Sequence, residues 1–169
     1  MKQLKLTGIF GAAVIALAFS VTSCKKSSSN NAPKLGTVSL NVNGKPVIVN
    51  DIMVDTSDLA LLISGTCLLP GATDSASFEM SFFNSTSDFQ QFKGLFADTS
   101  VNDFVTMDIL DNQGDQWQNE GVKPTTINVT SNSGTVITGT FQGELNPTSG
   151  AVAQDSLIVT NGQFSVKIQ

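Results

Sequence analysis

The side chains with the most chemical potential lie between residues 108 and 120: Asp108, then Asp111-Asn112-Gln113-Gly114-Asp115-Gln116-Trp117-Gln118-Asn119-Glu120. Carboxylates and amides spaced around a glycine and closed by a glutamate are hard oxygen donors, the ligand type that calcium takes. Asp111, Asp115 and Glu120 are the candidate ligands. An EF-hand loop sets its Gly at position 6 and its Glu at position 12, whereas counting from Asp111 the Gly falls at position 4 and the Glu at position 10. The plainer alternative is an acidic hairpin loop turning at Asn112 to Gly114. Trp117 stands among planar amides, which offers a sugar ring a stacking face and hydrogen bonds to its hydroxyls; the same indole could instead fold back over an open end of the domain. For catalysis, glycoside hydrolysis needs two carboxyl groups, and the only glutamates are Glu79, Glu120 and Glu144. Glu79 and Glu144 alternate with apolar residues and read as outward strand positions.

Composition narrows the chemistry further. The chain has no His, no Tyr and no Arg. Without His it lacks the commonest general base, the usual activator of a Ser or Cys nucleophile and the commonest zinc ligand. Nine lysines against 14 acidic residues give a net charge of -5, so there is no basic surface to neutralise a phosphate backbone and no nucleic-acid partner is expected. No catalytic residue is assigned and no cofactor is required, calcium being the one ion the loop could take. The reading is a non-catalytic module; the alternatives are a small carboxylate-dependent glycoside hydrolase and a lipocalin-like carrier of an apolar ligand.

The elements that would position these groups begin with an export segment. Lys2 and Lys5 precede an uncharged apolar run over residues 6–21, which ends in Val21-Thr22-Ser23-Cys24. The run is shorter than the roughly 20 residues that span a bilayer comfortably, and its flanks are those of a signal peptide. Small residues directly before a cysteine resemble the lipobox of bacterial lipoproteins. That resemblance implies cleavage before Cys24, diacylglycerol on its thiol and an acyl chain on the new amino terminus, and so a membrane partner held through lipid. By the sorting rules of such lipoproteins, the absence of Asp after Cys24 implies the outer membrane, on its periplasmic or its surface side. Residues 1–23 are thus expected to be removed, 24–34 to form a lipidated cysteine and polar tether, and 35–169 to form one domain. That domain keeps four lysines against 14 acids. With Cys24 committed to lipid, Cys67 has no internal partner, and its apolar surroundings predict a buried, inert thiol.

From residue 36 onward the dominant period is two. Val38, Leu40 and Val42 alternate with polar residues, Asn43-Gly44 supplies a tight hairpin turn, and Val47-Ile48-Val49 resumes the strand, with Pro46 suited to a strand start or an edge. Further strands are expected at 52–54, 59–69, 77–83, 103–110, 125–130, 135–145 and 156–168. Residues 87–98, with Phe89, Phe92 and Phe96, read as a short helical turn or an aromatic-rich loop. Ile137, Gly139, Phe141, Gly143 and Leu145 share one face, and the two glycines leave gaps in which a neighbouring aromatic can lie. Phe164, Val166 and Ile168 are expected to face inward, with Gln163, Ser165 and Lys167 in water and a bulge at Asn161-Gly162 in which Gly162 takes the unusual backbone angles. The fold class expected is all-β: an antiparallel β-sandwich or an incompletely closed β-barrel of 7–9 strands.

Three segments also carry a family resemblance: Val42-Asn43-Gly44-Lys45, the stretch from Ser133 to Phe141 (SGTVITGTF), and the stretch from Asn161 to Ile168 (NGQFSVKI). Together with the lipobox they resemble a group of small Bacteroidota-type lipoproteins of uncharacterised function. An aromatic residue commonly follows the first motif in that group, where this chain has Pro46-Val47. The resemblance implies an anchored β domain and brings no catalytic residues; a binding or accessory role in the cell envelope, with a glycan or an envelope protein as possible partner, is the reading of the module itself.

Overall fold

A computed structural model describes residues 33–57, 59–84, 91–98, 103–119, 124–149 and 155–168. Ten strands occur among them: β1 (Thr37–Val42), β2 (Lys45–Ser57), β3 (Ala60–Leu68), β4 (Ser75–Asn84), β5 (Gly94–Ala97), β6 (Asp103–Leu110), β7 (Gln116–Gln118), β8 (Thr126–Asn132), β9 (Val136–Ser149) and β10 (Leu157–Lys167). Eight of them, β1-β2-β3-β4-β6-β7-β9-β10, form an antiparallel meander that closes when β10 pairs with β1. The all-β expectation holds, and of the two architectures it left open the molecule is a barrel, closed rather than incomplete. Closure satisfies both edges of nearly every wall strand, which an open sheet of the same strands could not do.

The turn chemistry is where the sequence places it. Asn43 (φ 50°) and Gly44 (φ 77°) join β1 to β2, the pair of positive-φ residues that matches the strand twist in a two-residue hairpin. Asn43 also ties this turn to β10, its N–H donating to the Ile158 carbonyl at 2.9 Å and its side-chain oxygen accepting from the Ile158 N–H at 2.8 Å. Segments expected as two strands, 47–49 and 52–54, are one long strand, because β2 absorbs a bulge at Asp51 (φ 51°) and continues past it. Gly65 permits that bulge: a Cβ there would stand 2.5 Å from the Asn50 carbonyl oxygen.

Strand β9 is the hinge of the topology. One edge pairs with β10, while the other pairs with β8 over its first half and with the three residues of β7 over its last four. Strands β8 and β5 therefore lie outside the eight-strand circuit, β5 antiparallel to β8 from Gly94↔Val129 to Ala97↔Thr126. Where a helical turn or loop was expected, residues 94–97 form a strand; Phe92 and Phe96 meet the core from there, and residues 85–90 lie outside the described residues.

The interior is filled. Inward residues of every wall strand form one buried cluster, to which β5 and β8 add Phe96, Ile127 and Val129 and the segment before β5 adds Phe92. A chain of rings crosses it: Phe78 to Phe141 (5.9 Å between centroids), Phe141 to Phe164 (6.4 Å), Phe164 to Phe82 (6.3 Å), and Phe82 to Phe92 and Phe96 (5.6 and 5.4 Å). These tilted geometries are those that aromatic quadrupoles favour. Gly139 makes room for the Phe164 ring and Gly162 for Phe141, each with a would-be Cβ contact of 2.5 Å. Gly143 instead makes room for Thr125. In the β10 bulge it is Asn161, not Gly162, that takes positive φ (52°), and Ser165, expected in water, is buried between β1 and β9.

Candidate functional site

Strands β6 and β7 position the acidic, amide-rich run. Asp111 sits at the end of β6, and the chain turns there because its Oδ1 accepts from the Gln113 N–H at 2.8 Å and the Asp115 N–H at 3.0 Å. The Asp111 N–H donates to the Asp115 carbonyl at 3.0 Å. This is the local side-chain-to-backbone closure that Asp favours in turns. Asp115 is buried at 9% exposure. Glu120 and Cys24 lie outside the described residues. Among the described residues no group of three or more His, Cys, Asp or Glu side chains is placed to hold a metal ion, and Asp111 Oδ1 already accepts two backbone donors.

Of the two readings of Trp117, the structure does not present the stacking face that the first requires. Trp117 is buried at 4% exposure on the inward side of β7, and its indole N–H donates to the Asp155 carbonyl at 3.2 Å. No exposed indole face is available for a sugar ring. The period of two explains the placement: Gln116 and Gln118 flank it on the outer face, where both side-chain amides donate to Asp108 Oδ2, at 2.7 and 2.6 Å. Glu79 stands directly opposite Asp108 in the β4–β6 pairing. Glu144 is on β9, so β6 and β7 separate the strands that carry Glu79 and Glu144. Glu144 borders a depression of about 320 Å³ shared by β8, β9 and β10.

A polar network that the sequence did not reveal closes the seam where β7 ends. Asn119 acts as a one-residue extension of the strand. Its N–H donates to the Met107 carbonyl at 3.2 Å, its side-chain oxygen accepts from the Met107 N–H at 2.7 Å, and its side-chain amide donates to the Val105 carbonyl at 2.8 Å. Behind it, Asp98 Oδ2 accepts from the Asn119 amide at 3.3 Å and the Thr125 N–H at 3.0 Å. The other Asp98 oxygen and the Thr125 hydroxyl are buried without a hydrogen-bond partner among the described residues. In sequence, Asn119 is one amide in a run of amides; only the end of β7 gives it this task.

Cys67 is buried on β3, as its apolar context predicts, and burial pushes its thiol up to about 11.

No family model matches the sequence, and no curated protein or solved structure matches it. What remains accessible is outer wall and barrel ends: the depression beside Glu144, and a groove of about 520 Å³ between β2 and β10. Both are surfaces on which a partner could lie.

Proposed function

We propose that this chain is a lipid-anchored protein of the bacterial outer membrane whose β domain works by binding, as an accessory of the cell envelope, and not by catalysis. The observation that carries the binding half of the reading is the packed lumen. A carrier of an apolar ligand needs an internal void, and here phenylalanine rings from β4, β9, β10 and the β5 region occupy that space. A hydrolase needs two carboxyl groups converging on a cleft; Glu79 and Asp108 lie side by side on the outer wall, with Asp108 already engaged by two glutamine amides. What the fold offers a ligand is its outside. The anchoring half rests on the apolar run before Cys24 and the small residues that precede it.

A thermal-shift screen of the whole chain against envelope glycans, calcium and envelope protein fractions tests the binding half, since a ligand specific to the folded state raises its apparent stability by mass action. A saturable shift with no turnover of the ligand is the expected result. Turnover of a polysaccharide that disappears in Glu79→Gln or Glu144→Gln would contradict the reading.

A further inference from the structure

One stretch of the outer wall is built from hydroxyls and amides and carries no charge. Strands β5, β8, β9, β10 and β1 pair in that order without a gap, so their outer face is one continuous sheet. Thr126 stands opposite Gln142 and Asn128 opposite Thr140, which in turn faces Gln163. Ile127 and Phe141, the residues between, point into the core, and the period of two puts the amides and hydroxyls outside. The β10 bulge sets Thr160 and Asn161 against the single Gln142. Across the face from it stands Leu95 of β5, 66% exposed, and between them lies a depression of about 370 Å³. No side chain lining it among the described residues is charged, whereas the depressions beside Glu144, between β2 and β10, and beside Asp111 each include an acid. Along the chain the flanking charges are Lys93, two residues before Leu95, Glu144, two after Gln142, and Lys167, four after Gln163; the Asp98 carboxylate turns to Asn119 and Thr125. Elsewhere the chain uses its amides for its own fold: Asn43 on Ile158, Gln116 and Gln118 on Asp108, Asn119 on Met107 and Val105. The side chains of Asn128, Gln142, Asn161 and Gln163 make no hydrogen bond among the described residues.

We propose that this face is a binding site for a neutral polysaccharide lying across β8, β9 and β10. The inference rests on the non-catalytic binding reading above, to which it adds a place and a ligand class; it does not depend on the lipid. An amide or a hydroxyl offers both a donor and an acceptor, as does each hydroxyl of a sugar. A row of them therefore matches a polyol and gives an ionic ligand no counter-charge. The excess of acid in the domain, 14 against four lysines, further opposes an anionic ligand. Leu95 supplies an apolar contact for the C–H side of a sugar ring, the combination of apolar surface and a few placed polar groups that small-ligand sites use. A protein partner is anchored by aromatic, Met or Arg side chains at an interface core. Among the described residues none of these is exposed on this face, Phe141 lying beneath the sheet at 3% exposure.

The test titrates the full chain, extracted in a detergent without a sugar headgroup, with four-sugar fragments of starch, cellulose, mannan and laminarin, and with a four-sugar fragment of polygalacturonate as the charged control. Saturable binding of at least one neutral fragment is expected, indifferent to salt, with amide resonance shifts confined to residues 126–128, 140–142 and 161–163. Asn128→Ala and Gln142→Ala should each weaken it about fivefold, the effect of losing one hydrogen bond. Both positions are exposed, so the melting temperature should not move, and Ser77→Ala on β4 should leave binding unchanged. No saturable binding of any neutral fragment would overturn the proposal, as would tighter binding of polygalacturonate or binding that falls with salt. Binding that ignores both alanine variants, with shifts elsewhere in the barrel, would overturn this site while leaving a binding module. Shifts of the same residues with an envelope protein fraction and none with the sugars would assign the face to a protein and overturn it as well. Turnover of a bound fragment would overturn the proposal together with the non-catalytic reading beneath it.

Discussion

Thr125 shows how a single side chain can work against the fold that holds it. It is fully buried, its N–H and carbonyl are paired with Asp98, and its hydroxyl has no partner among the described residues. An orphaned buried hydroxyl costs more than a methyl group of the same shape. Thr125→Val is therefore expected to raise stability by about 1 kcal/mol in urea denaturation, and a loss of stability would mean that the hydroxyl is satisfied. Cys67 gives a second residue-scale prediction. Burial disfavours the thiolate, so its folded-state value lies near 11 against an ordinary 9.0. The folded state then holds a proton that the unfolded state releases, and stability present below pH 9.0 should fall as pH rises toward about 11. The same thiol should resist iodoacetamide at pH 8 in the native chain and react at once in denaturant. Rapid native alkylation would mean that β3 opens readily.

At the scale of elements, the weakest closure of the wall is the three-residue β7, and Asn119 and β5 compensate for it. Asn119→Ala would strip partners from the Met107 N–H and the Val105 carbonyl together, costing about 1–3 kcal/mol for each group left unsatisfied. Phe96→Ala should cost about 3–5 kcal/mol, the usual penalty for deleting a buried aromatic, because its ring packs on both Phe82 and Phe92. The neighbouring Leu95→Ala, at a position 66% exposed, should stay within about 0.5 kcal/mol. Equal effects of the two would mean that β5 does not seat Phe96 in the core. The same region marks how far the sequence could be read. Alternation is a local signal, so β1, the Asn43-Gly44 turn, β4 and the inward faces of β9 and β10 are legible from residues alone. Where a strand is too short to show a period, as with Gln116–Gln118 and Gly94–Ala97, only the paired strand defines it. Trp117 looked exposed because its neighbours are polar; on a strand, polar neighbours are what an inward residue has. Ser165 was misjudged by the same rule, since the wall covers it on both sides. The pairing of Asn119 with Asp98 joins residues far apart in sequence and has no local signature.

For the whole molecule, the proposed binding role falls to the outer surface, because the barrel is closed and aromatic rings pack its interior. The described chain enters at the end where β2 runs past β1, and the acidic turn at residues 111–115 lies at the opposite end, after β6. Eight residues lie between Cys24 and the first described residue, Pro33, and at full extension the distance from one to the other is about 30 Å. A lipid on Cys24 would therefore hold the domain near the bilayer. An envelope role depends on that lipid, so the decisive measurement is the intact mass and amino-terminal fragment spectrum of the protein isolated from bacterial membranes, alongside Cys24→Ala. The account predicts a chain that begins at Cys24 and carries diacylglycerol and an amide-linked acyl chain, and a Cys24→Ala variant without that modification. An unmodified chain that still begins at Met1 would contradict it.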